Sequence, residues 1–189
     1  IADCNLTMRL NSIEERLFEA FKDIKVIDSH EHLAPEKERT SRKVDLPFLF
    51  AWPYTATDLI SAGLPKKPLS AVPSLDFLYA TDVPLKERWA RIAPYLPKIR
   101  YGSYARAVYL TVKEFYGFDD INEQNYEEIS RRMEEFNKPG IYHRVLREKC
   151  NIQTVLTQAG RTDYDLDLLV PLMPGVVWGR GWGNIRSKR

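Results

Sequence analysis

Val26-Ile27-Asp28-Ser29-His30-Glu31-His32-Leu33 is the stretch on which the reading of this chain turns. Two of the three histidines stand two positions apart, directly after an apolar pair and an aspartate. The lead-in Lys25-Val26-Ile27-Asp28 is short and β-branched, which predicts a strand. On an extended segment residues i and i+2 face the same way, so His30 and His32 project together while Glu31 points opposite. Two imidazoles aimed at one point at the carboxyl end of a strand suit a borderline divalent metal, zinc above all. Asp28, on the same face, is the expected group to orient a ligand or brace the turn. The competing reading is a bare surface His-x-His where a strand enters a loop. The apolar-apolar-Asp lead and the trailing Leu33 favour the metal.

Upstream, Leu10, Ile13, Leu17, Phe18 and Phe21 fall at helical spacing over residues 9–22, with Glu14, Glu15 and Lys22 on the other side. That pattern predicts an amphipathic helix leading into the motif. Downstream, prolines at 35, 47, 53, 65, 68 and 73 predict loops and short turns. Asp45-Leu46-Pro47-Phe48-Leu49-Phe50-Ala51-Trp52-Pro53-Tyr54 is expected as an aromatic, packed surface loop. Thr57 to Gly63 reads as one or two helical turns ended by the glycine.

From there the chain turns helical. Pro84 suits the first position of a helix through Trp89 and Ile92. Residues 98–116 set Tyr101, Tyr104, Ala105, Val108, Val112 and Phe115 along one face, which is expected to be core. Asn122 is the expected N-cap of a helix through Tyr126, Ile129 and Met133, and Pro139-Gly140 marks the next break. A last helix over 141–149 precedes a second strand candidate, Ile152 to Gln158. A third lies within residues 168–177, broken by Pro171 and Pro174. Strand, long helical excursion, strand is the order of the α/β class with parallel strands.

Composition sets the outer limits. With 189 residues, 44% hydrophobic and 29% charged, the chain is long enough for one domain with a sizeable core. A net charge of +2 is too small to argue for nucleic acid or an anionic membrane as partner. No apolar run approaches the roughly 20 residues that cross a bilayer. Asp3, Asn5, Arg9 and Asn11 interrupt any signal-peptide core at the amino end. Cys4 and Cys150 are too few for a disulfide framework, so a cytoplasmic, reducing compartment is expected. Met8 is the expected natural start, with residues 1–7 upstream sequence, and residues 179–189 read as a frayed tail.

Ile27-Asp28-Ser29-His30-Glu31-His32-Leu33 resembles the first-strand motif of the amidohydrolase superfamily of metal-dependent (β/α)8-barrel hydrolases. Asp58-Leu59-Ile60-Ser61-Ala62-Gly63, Arg88-Trp89-Ala90-Arg91-Ile92-Ala93-Pro94-Tyr95, Tyr116-Gly117-Phe118, Asn137-Lys138-Pro139-Gly140 and Arg147-Glu148-Lys149-Cys150-Asn151-Ile152 are similar to a branch with a large helical insertion after strand one. The likeness runs from about residue 9 to about residue 160, and only the His-x-His is specific to the superfamily. It implies a partial TIM-type barrel of two or three parallel strands in one incomplete domain: residues 9–33 as first helix and strand, 34–150 as insertion, 151–178 as later strands. It also implies a divalent metal, zinc by preference, held in part by His30 and His32, a metal-activated water, and a small, carboxylate-bearing substrate. Arg100 or Arg106 would anchor that carboxylate, and residues 46–54 and 98–116 would form a lid or pocket wall.

The resemblance further implies a histidine from each of strands five and six and an aspartate from strand eight. The only other histidine is His143, within a helical pattern, where it is expected to be a solvated helix residue. Asp163, Asp165 and Asp167 are expected on a hairpin or linker face. A family barrel needs about 250 residues, so the chain is expected to be an amino-terminal portion of such an enzyme, inactive alone. Two other functions stay open: isomerisation or decarboxylation on the same scaffold, as in uronate isomerases, and a non-catalytic helical interaction protein with a relic His-x-His. An apolar edge left by an unfinished barrel would suit homo-oligomerisation.

Overall fold

Asn11 opens the first element. Its side chain accepts the Ile13 and Glu14 N–H groups at 3.0 Å each, while the Glu14 carboxylate takes the Asn11 N–H at 2.7 Å. This reciprocal capping box starts α1 (Ser12–Lys22). The computed structural model describes residues 10–31, 33–65, 75–157 and 167–171. His32, Cys4, the first seven residues, Asp163, Asp165, Gln158, Pro174 and the segment 179–189 lie outside them, with the expectations attached to each. The chain divides into two compact units, residues 40–138 and the flanking 1–39 with 139–189. The helical excursion is therefore narrower as a unit than the expected 34–150.

In the flanking unit, α1 leads to β1 (Val26–Asp28), which pairs in parallel with β2 (Ile152–Thr157), itself parallel to β3 (Leu169–Pro171). The sheet order is β1-β2-β3. The chain is thus mixed helix and sheet with a small three-stranded parallel sheet. Asn151 sets the register of the first pair. In the left-handed region at φ 52°, which asparagine tolerates, it donates from its amide to Lys22 O at 3.2 Å and Ile24 O at 2.8 Å. Its carbonyl takes the Val26 N–H at 3.0 Å. Val155 and Thr157 of β2 are fully buried, and Leu168 and Leu169 nearly so. The apolar stripe of α1 is present as expected, but no residue of the helix is buried: Ile13 is 64% and Phe21 65% exposed. An amphipathic pattern states that a face wants cover, not that it has found any.

The second unit holds the large core. After α2 (Glu36–Ser41) come α3 (Leu46–Leu49), α4 (Pro53–Ser61), α5 (Leu85–Ile92), α6 (Leu96–Ile99), α7 (Ser103–Tyr116) and α8 (Tyr126–Phe136). The expected surface loop over 45–54 is instead two helix starts and a piece of core. Pro47 and Pro53 stand in the first turns of α3 and α4, where the missing N–H costs nothing. Asp45 caps α3 by accepting the Phe48 N–H at 3.3 Å, and Leu46 and Phe50 are fully buried. Prolines read as breakers are initiators here. On α7 the buried face is Ala105, Val108, Val112 and Tyr116, while Tyr104, and Tyr101 ahead of the helix, are 45% and 83% exposed. Gly117 ends α7 at φ 77°, a conformation costly for a side chain. Pro84 is the cap of α5 and not its first residue. Asn122 shapes the turn before α8, accepting the Gln124 N–H at 3.0 Å, one turn short of the expected cap role.

The outer face of α8 carries an ion cluster. Arg131 and Arg132 donate to the Glu128 carboxylate at 2.7 to 2.9 Å and hold its pKa down to about 2, from an ordinary 4.5. A depressed carboxylate contributes stability that is fully present above pH 4.5 and lost as the pH falls towards about 2. A carboxyl-detected NMR titration should place the Glu128 midpoint near 2. A midpoint at the ordinary carboxylate value would mean the cluster is not formed in solution.

Candidate functional site

β1 ends at Asp28, so His30 stands two residues beyond the strand. Parallel pairing puts the carboxyl ends of β1, β2 and β3 along one edge of the sheet, and His30 leaves from that edge. Its backbone N–H donates to Asp28 Oδ1 at 3.1 Å, so the Asp28 carboxylate braces the turn that presents His30. Ser29 and His30 are exposed, whereas Glu31 is 8% exposed and accepts the Leu33 N–H through its carboxylate. Opposite sides of the chain thus serve His30 and Glu31.

Beyond Leu33 the loop is pinned from far along the sequence. The Tyr142 hydroxyl donates to the Ala34 carbonyl. Glu36 accepts the Gly140 N–H at 3.0 Å and the Tyr142 N–H at 2.8 Å, one on each carboxylate oxygen. Sequence reading missed both residues. Pro139-Gly140 marked a break, but nothing in a single sequence announces a partner 104 positions away.

The remaining candidates fall elsewhere. His143 is exposed at the start of a π-helical segment, His143–Lys149, and its Nδ1 lies 3.1 Å from Glu148 Oε1. Their separation of five residues is what a π-helical turn aligns. Asp167 accepts from Arg147 through its backbone oxygen at 2.7 Å and its carboxylate at 3.0 Å. Arg100 and Arg106 belong to the helical unit, and Asp28 and His30 to the flanking one. Arg100 donates to Asp120 at 2.7 Å and covers the Tyr109 ring at 5.0 Å, and the Asp120 hydrogen bond raises its pKa above the ordinary value. Its fork already holds a carboxylate of this chain. Arg106 is exposed on α7.

Described residues line an open groove and a cleft. An open groove of about 550 Å³ runs between Phe21, Ile24, Arg147, Cys150 and Asn151, at the amino ends of β1 and β2, away from His30. A cleft of about 290 Å³ in the helical unit is lined by Lys43, Asp45, Asp82, Arg88, Glu127 and Arg131 among others. There the Arg88 guanidinium donates to Asp45, Val83 O and Leu78 O. That buried pair, also unforeseen, ties the cap of α3 to α5.

The donor set can be tested against a metal. Among the described residues, no three His, Cys, Asp or Glu side chains gather to hold an ion. One imidazole, His30, stands at the strand edge, with His32 outside the described residues. A catalytic zinc takes three protein ligands and a water, so the described donors do not make a metal centre by themselves. Nor, among the described residues, is any helix long and apolar enough to cross a membrane. Compared with protein-family models and with curated proteins, the chain matches none.

Proposed function

We propose that this chain carries the first-strand ligand pair of a metal-dependent hydrolase of the amidohydrolase type, acting on a small, carboxylate-bearing substrate. His30 and His32 are two of the metal's ligands in this reading, and the others come from strands past the third of a TIM-type barrel. The observation that carries it is the parallel pairing of β1 with β2 across a helical excursion, with His30 leaving the carboxyl-end edge of that sheet. Active sites of parallel barrels are built on that edge. A bound divalent metal would supply Lewis acidity and a water acidic enough to ionise near neutral pH. Asp28 orients the His30 turn, and His30 is exposed.

Calorimetric titration of the chain with Zn²⁺ tests this. Weak binding is expected, since this chain brings two of the ligands, with His30→Ala and His32→Ala each weakening it by at least about tenfold, the lower end of the loss when even a group supporting a ligand is removed. His143→Ala is the control and should change nothing. Absence of binding, or a His30→Ala variant that binds as well as the parent, would sink the metal reading. The wholly exposed apolar stripe of α1 favours the alternative, a non-catalytic interaction module, and the same titration separates the two.

A further inference from the structure

The loop that leaves β1 is fixed at both ends, and the far end is fixed by residues from the other side of the insertion. At the near end Asp28 Oδ1 holds the His30 N–H at 3.1 Å. At the far end Tyr142, 9% exposed, spends its hydroxyl on the Ala34 carbonyl. A buried phenol needs such a partner. Two residues on, Glu36 spans the Gly140 and Tyr142 N–H groups with its two carboxylate oxygens at 3.0 and 2.8 Å. Those N–H groups open the helical segment that runs through His143–Lys149 towards β2. They would otherwise lack intrahelical acceptors, so a carboxylate there satisfies two orphan donors at once.

A helix cap normally comes from the residue just before the helix. Here it comes from over 100 positions earlier, on the segment that carries His30. The bonds therefore do more than cap: they tie the backbone at 34–36 to residues 139–142, where the chain returns from the helical unit. We propose that Glu36 and Tyr142 are positioning residues for the His30 loop, fixing its backbone and hence the aim of the ligand it carries. The ligand role of that loop rests on the metal reading above; the clamp itself does not.

The test uses the whole chain with Tyr142→Phe, Glu36→Gln and Glu36→Ala. Tyr142→Phe removes one hydroxyl and keeps the ring. Glu36→Gln keeps the shape and one of the two acceptors, so its effect should lie between the parent and Glu36→Ala. Hydrogen exchange by NMR should quicken at the His30 and Leu33 amides by about five- to tenfold in Tyr142→Phe, the scale of one net hydrogen bond. Amides of β2, in the same unit as the loop, should be unaffected, which shows that this unit remains folded in each variant. Titration with Zn²⁺ alone should show weaker binding in the same order. Unchanged exchange at His30 and Leu33 in both Tyr142→Phe and Glu36→Ala overturns the clamp, and a loosened loop that binds Zn²⁺ as tightly as the parent overturns the positioning role. If the parent binds no Zn²⁺ yet the variants loosen the loop, the clamp stands and the metal reading falls.

Discussion

Asp45→Ala is expected to destabilise the helical unit by about 3–5 kcal/mol, the cost of stranding one member of a buried ion pair. The Arg88 side chain is 1% exposed and that of Asp45 5%. Asp45 meets the guanidinium with both oxygens, one of them at 2.9 Å from Nη1, and two further donors, on Nε and Nη1, reach Val83 O at 3.1 Å and Leu78 O at 3.2 Å. Without Asp45 a full positive charge stays in a water-poor site facing two carbonyls, and α3 loses its cap as well. The drop should appear in the urea midpoint of the tryptophan fluorescence transition, since Trp89 is 2% exposed next in sequence to Arg88. Removing the second charge should help. Asp45→Ala with Arg88→Met is expected to be less destabilised than Asp45→Ala alone, because an apolar replacement needs no counter-charge. A loss under about 1 kcal/mol for Asp45→Ala, the range of exposed pairs, would mean that the site is hydrated in solution.

That pair also marks where single-sequence reasoning stops. Local signals placed β1 and β2 within a residue or two, because short β-branched runs between turn residues have few other conformations, and β3 lies at the start of the broader expected run 168–177. The parallel order followed from the length of chain between them. Asp45 before Leu46-Pro47 was a helix-start signal in plain view, overridden by counting prolines as breakers. Of the expected face over 98–116, Ala105, Val108 and Val112 are core, and the tyrosines before them are not, for another reason. Tyrosine scores as apolar yet carries a hydroxyl that water satisfies, so Tyr101 and Tyr104 lie outside and the burial period runs 105, 108, 112, 116. At the candidate site, Asp28 and His30 were legible because their relation is local. Glu36 and Tyr142 were not, because their relation is a contact between segments that only the fold brings together.

Trp89 is the other position at which one substitution should dominate stability. It lies flat on Tyr126, with ring centroids 4.8 Å apart and planes 2° from parallel, joining α5 to the first residue of α8. Its indole N–H reaches Glu123 Oε2 at 2.5 Å, which explains how so large a polar-tipped ring is 2% exposed without an orphan donor. Trp89→Ala removes the stack, the hydrogen bond and the largest side chain of the core together, at an expected cost of about 3–5 kcal/mol. Trp89→Phe keeps an aromatic on Tyr126 and leaves behind only Glu123, whose exposed carboxylate water can serve. It should therefore cost well under half as much. Urea unfolding followed by far-UV circular dichroism, which does not depend on the deleted fluorophore, separates the two. Equal losses for Phe and Ala would mean that the indole N–H to Glu123, and not the stacked area, carries the contact between α5 and α8.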